Sequence, residues 1–133
     1  MSNIIYLACA YSDPDPNVVK LRYEAACCCA AALARRGLIV YCPVASWHCV
    51  TSEHGLPTGW EYWRNADLAF IGISSALYVM VSNGWDRSVG VRDEIKEATI
   101  LGLPVVFVDE DAGLVAQRQA TPMKREAPGS SEK

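Results

Sequence analysis

The chain has 133 residues, enough for one domain with one sizeable core. Its formal charge of −3 argues against a protein that lives on nucleic-acid polymers or anionic membranes. No apolar run reaches the length of a bilayer span, and the first residues lack a basic segment followed by an apolar one, so a cytoplasmic location is expected.

Asn3 to Ala10 is a nearly continuous apolar run, as expected for a strand covered on both faces. Tyr11 to Asn17 is a loop, because two prolines and two aspartates break both regular structures. Val18 to Arg36 reads as a helix ended by Gly37. Its second half, Ala25 to Leu33, is mostly Ala and Cys, which suits close packing against the sheet and also against a second subunit. Leu38 to Cys42 is a second strand, and Pro43 to Pro57 reads as a long connection carrying Trp47, His48 and His54. In Thr58 to Gly72 the residues Trp60, Trp63, Asp67, Leu68 and Ile71 recur at helical spacing. Ala76 to Ser82 is a third strand. Pro104 to Val108 is a fourth, and Asp109 to Gln119 is expected to add a short helix. The domain is expected to span residues 1–119. From Ala120 the composition turns polar, with Pro, Gly and Ser, and residues 120–133 are expected to form a flexible tail.

Six cysteines (Cys9, Cys27, Cys28, Cys29, Cys42, Cys49) do not resemble a disulfide frame, since three are adjacent in a helical segment and Cys9 and Cys42 lie in or beside strands. They point to a reducing compartment. Cys42, His48, Cys49 and His54 match no zinc spacing, so no metal is expected, nor any other cofactor.

Alternation of strands and helices predicts an α/β, flavodoxin-like or Rossmann-like parallel sheet of four to five strands, in order 2-1-3-4, with helices on both faces. In such sheets the ligand sits beyond the C-terminal ends of the strands, where strand order reverses. Here that is between the first and third strands, so Tyr11–Asn17 and Asn83–Arg87 flank the predicted crevice.

The stretch after the third strand, Asp86 to Ala98, opens a helix. Val91, Ile95, Ala98, Leu101 and Gly102 form an apolar stripe, and Glu94 falls inside it. An inward carboxylate near the end of a strand is costly unless it is paired or used. Taken alone, the residues favour pairing with Arg22 or Arg92. Ser88 at the helix start is a natural cap, and the free N–H groups beside it make a cradle for phosphate. Trp85 and Tyr11, on the flanking loops, are candidates to stack a base.

Several motifs together resemble the nucleoside 2-deoxyribosyltransferase-like superfamily. They are Ser88-x-Gly90-Val91-x-x-Glu94-Ile95-x-x-Ala98, Gly102-Leu103-Pro104-Val105, Ile5-Tyr6-Leu7-Ala8, Arg22, Gly37-x-x-Val40-Tyr41-x-Pro43 and Asn65-x-Asp67-Leu68. The likeness covers roughly residues 4–108 and is greatest to a branch of bacterial and phage proteins and to the nucleoside 5′-monophosphate N-glycosidases. It implies Glu94 as nucleophile, Tyr6 as the residue orienting it, and Asp67 near sugar and base. It implies Ser88 at the 5′-phosphate, with Gly90 and Arg22 in the same binding set. Serine at position 88 favours a nucleotide over a free nucleoside.

The expected activity is hydrolysis of the N-glycosidic bond of a (deoxy)nucleoside 5′-monophosphate. Base exchange by a 2-deoxyribosyltransferase is one alternative. A nucleotide-binding module without turnover is another, because Lys96 stands where the family often has glycine. The expected partners are a small nucleotide or nucleoside substrate and, by the resemblance, a second copy of the chain.

Overall fold

The structure is a computed structural model and describes residues 2–116. Its four aliphatic runs form β1 (Ile4–Ala8), β2 (Ile39–Tyr41), β3 (Ala76–Met80) and β4 (Val105–Val108). All pair in parallel, in the order β2-β1-β3-β4, so the predicted α/β architecture and strand order hold. The register sets Tyr6 beside both Tyr41 and Leu77, which centres β1 between its neighbours.

Side-chain alternation along the strands divides the core in two. On one face Tyr6, Ala8, Leu77, Val79 and Phe107 pack against Ile71 of α3 (Trp60–Gly72) and Val91 and Ala98 of α4 (Val89–Ile100). On the other, Leu7, Met80 and Val108 pack against Ala26, Cys29 and Leu33 of α1 (Pro16–Arg35), with Cys9 and Cys42 at the same level. α1 starts with Pro16 at its first position and Asp15 as cap, the carboxylate accepting the Asn17 N–H at 2.9 Å. Among the described residues, no helix is long and apolar enough to cross a membrane.

Two expectations need correction. Pro43–Pro57 is not an open connection: Pro43–His54 forms a helix, α2, closed by Gly55 at φ 67°. Proline at its first position and eleven following residues free of Gly and Pro permit this helix. It buries only Thr51, so it lacks the apolar stripe that reveals a helix in sequence. The second correction concerns the expected helix at Asp109–Gln119. As far as Ala116 this segment is a turn, with the Asp109 carboxylate accepting the N–H groups of Asp111 and Gly113, and Leu114 then bridges back to Val108. Residues 117–119 and the expected tail at 120–133 lie outside the described residues.

Candidate active site

The loops after β1 and β3 open on either side of the point where strand order reverses, and a cavity of about 520 Å³ lies there. Glu94 enters it from the second turn of α4. It is 5% exposed, and the Tyr6 hydroxyl, rising from β1, donates a hydrogen bond to its Oε2. Among the described residues Glu94 has no cationic partner. Arg22 is engaged elsewhere, and Arg92 is exposed on the outer side of α4. The carboxylate is thus held by a neutral donor and otherwise faces the cavity. Burial pushes its pKa well up; the Tyr6 bond opposes this, while the nearby Asp67 and Cys42 add to it.

Asp67 lines the same cavity from α3 and is 6% exposed. Its Oδ1 is buried without a hydrogen-bond partner. Burial pushes its pKa up to about 7, against a lowering by the Tyr6 hydroxyl. Tyr6 itself is fully buried behind the two acids, and desolvation together with their charges pushes its hydroxyl far above the usual range, so it acts as a donor only. Two carboxyls around one phenol, without a cation, hold a proton between them more readily than two negative charges.

The opposite rim is polar and open. Ser88 caps α4, its Oγ accepting the Val91 N–H at 3.1 Å, and both Ser88 and Gly90 line the cavity. Arg22 lies across the two loops: Nη1 donates to the Ser12 carbonyl at 2.7 Å and Nη2 to Asn83 Oδ1 at 3.1 Å, while Nε is buried without a partner. Gly84, at φ 79°, is needed twice over, because a Cβ there would collide with the Arg22 guanidinium. Arg87 also reaches the cavity, carrying a long ion pair to Asp86 at 3.9 Å.

Tyr11 lines the cavity as expected, but its hydroxyl is bonded to His48 Nδ1 at 2.8 Å, and the imidazole stacks on Tyr23. Trp85 is placed differently from its expected role. It is not among the residues lining the cavity; its ring turns back edge-on to Phe107 and packs on the core. The aromatic wall comes instead from Trp47 on α2 and from Trp60 and Trp63 on α3. Their indole N–H groups donate to the Tyr41 hydroxyl, to Asp93 Oδ2 and to the Pro57 carbonyl respectively, and Trp47 and Trp63 lean on each other with ring centroids 5.3 Å apart. Trp60 packs where Gly90 has no side chain; a Cβ there would stand 3.1 Å from the indole. The spacing Trp60, Trp63, Asp67 already put these residues on one helix face, and that was the available signal for the wall. Among the described residues no group of three or more His, Cys, Asp or Glu side chains is arranged to hold a metal.

No curated protein matches the sequence significantly. Among solved structures, a 2-deoxyribosyltransferase from the psychrotolerant bacterium Bacillus psychrosaccharolyticus superposes with a TM-score of 0.56 at 18% identity, covering 96% of this chain and 86% of that one. The chain therefore has the deoxyribosyltransferase-like fold, as its motifs implied. The profile of one family covers residues 3–110, and by that match the chain belongs to DUF1937, described as a domain of unknown function.

Proposed function

We propose that the protein cleaves the N-glycosidic bond of a (deoxy)nucleoside 5′-monophosphate, with Glu94 as nucleophile. The observation that carries this reading is a buried carboxylate on a cavity wall, pinned through Oε2 by Tyr6 and free of any cation among the described residues. A structural glutamate at this depth would have a charged partner.

In the reaction, Oε1 of Glu94 attacks C1′ as positive charge builds there. The C–O ester bond forms and the C–N bond breaks. Asp67 gives its proton to the departing base, a role suited to an acid half-titrated near neutrality. Water then attacks C1′, the C–O ester bond breaks, and Asp67 takes back the water's proton, so the Glu94 carboxylate is restored and the sugar phosphate leaves. The faces of Trp47, Trp60 and Trp63 stack the base. The α4 N-terminus at Ser88 and Gly90, with Arg22 and Arg87, takes the phosphate. A second reading, exchange of one base for another, draws on the fold shared with a 2-deoxyribosyltransferase. It differs only in what opens the ester. The acting species is a homo-oligomer, for which α1 presents a face of small exposed residues, Cys28, Ala31 and Ala34; light scattering that returned only monomer would exclude this.

The test is incubation with each ribo- and deoxynucleoside 5′-monophosphate, followed by chromatography. Free base together with sugar phosphate is expected. Product only when a second base is added would select exchange. Binding without either product would refute both enzymatic readings and leave a nucleotide-binding module.

A further inference from the structure

Cys9 and Cys42 have no part in the proposed reaction, yet they meet beneath it. Each follows directly on the C-terminal end of its strand, β1 and β2, which are hydrogen-bonded neighbours. Their sulfurs stand 3.8 Å apart, buried at 8% and 3% exposure, and both thiols are free. Cys9 also lines the cavity, so the pair lies against the space that a small solute enters. Cys42 is the residue before α2, a helix of twelve residues, and its thiol faces the positive end of that helix.

We infer that Cys9 and Cys42 are a redox modification site in the cavity floor, oxidised by a small peroxide to a reversible disulfide. Cys9, the residue of the pair on the cavity lining, attacks the peroxide O–O bond. An S–O bond forms, and the displaced hydroxide leaves with the Cys9 proton as water. Cys42 then attacks the sulfenic sulfur. The S–S bond forms, the S–O bond breaks, and a second water carries away the Cys42 proton. Two thiols lose two hydrogens and two electrons in all, and one peroxide becomes two waters.

Access assigns Cys9 the first step, since it is the one of the pair that lines the cavity, and the charges bear on the second. The Cys9 S–H group, and then the N–H dipoles of Ala45 and Val44, lower the Cys42 pKa against the effect of burial, while hydrogen bonding to Cys42 and then burial raise that of Cys9. Cys42 is thus the thiol that gives up its proton more readily, which suits it to the resolving step. A disulfide brings the sulfurs to about 2.05 Å, and the two residues already stand on neighbouring strands with their sulfurs 3.8 Å apart.

The test needs no catalytic activity and stands apart from the glycosidase reading. The whole chain is treated with hydrogen peroxide, alkylated after unfolding, digested and mapped by mass. The expected product is a peptide containing Cys9 linked to one containing Cys42, lost on adding a dithiol. In a Cys42→Ala variant, Cys9 should stall as sulfenic acid and be trapped by a 1,3-dicarbonyl reagent. Recovery of both cysteines as free thiols, or disulfides confined to Cys27, Cys28 and Cys49, would overturn the assignment. The wild-type map decides the matter even if the variant does not fold.

Discussion

The two ends of the cavity are built on opposite principles. At one end Glu94, Tyr6 and Asp67 are almost fully buried, come from three different elements, and have no cation to offset them among the described residues. At the other end Ser12, Arg22, Arg87 and Ser88 are half-exposed or exposed, and all but Arg22, which reaches over from α1, lie on loops or a helix start. The dry end holds groups at a cost in stability, which is the mark of a site shaped for reaction. The wet end costs little and can adapt, as a binding rim should. Variants at the two ends should therefore fail in different ways.

The largest effect is expected from Glu94→Gln. Turnover should fall by more than about 10³-fold while substrate binding persists, because the amide still accepts the Tyr6 bond but cannot attack C1′. Thermal stability should hold or rise, since a buried acid is removed. Near-normal turnover would dissolve the contrast between the two ends.

Asp67→Asn comes next, with a loss in kcat of roughly 10²-fold, the usual scale of acid catalysis. The wild-type rate should fall on the alkaline side as Asp67 loses its proton near pH 7, and the variant should lack that limb. Stability gives an independent reading. The folded-state pKa lies above the ordinary 3.8, so folding retains a proton that the unfolded chain releases. The stability that Asp67 contributes should therefore decline as pH rises from 3.8 to about 7, then level off. At pH 8 the variant should be more stable than wild type by roughly 4 kcal/mol, and at pH 3 the gain should vanish. A gain independent of pH would remove the buried acid from the account.

The smallest effect belongs to the wet end. Ser88→Ala should raise KM for a nucleoside monophosphate about tenfold, leave kcat and the free nucleoside little changed, and cost about 1 kcal/mol of stability through the lost cap. Equal losses for nucleotide and nucleoside would take the phosphate away from this rim.

Much of the dry end is visible in sequence, and the reasons are local. Glu94 interrupts an apolar stripe, so its inward direction follows from helical spacing. Tyr6 lies in a strand buried on both faces, and the strand order places the two together. Asp67 could not be judged by spacing alone, because its burial depends on how α3 meets α4. The wet end and the walls were harder to read. α2 buries a single residue, so no period marks it as a helix. Trp85 has the right loop for stacking a base, but the direction of a side chain in a short turn is set by tertiary packing, here against Phe107. Arg22 pairs with a carbonyl and an amide oxygen from two different loops, contacts that no pattern in the chain announces.

The central claim is that Glu94 forms a bond to the sugar. It is tested most directly by incubation with a 2′-fluoro-substituted nucleoside 5′-monophosphate, whose slowed second step lets the ester accumulate, followed by peptide mass mapping. A sugar-phosphate adduct on the peptide carrying Glu94, absent from Glu94→Gln, is the expected result. An adduct on another residue, or turnover of that compound with no adduct at any time, would contradict the account.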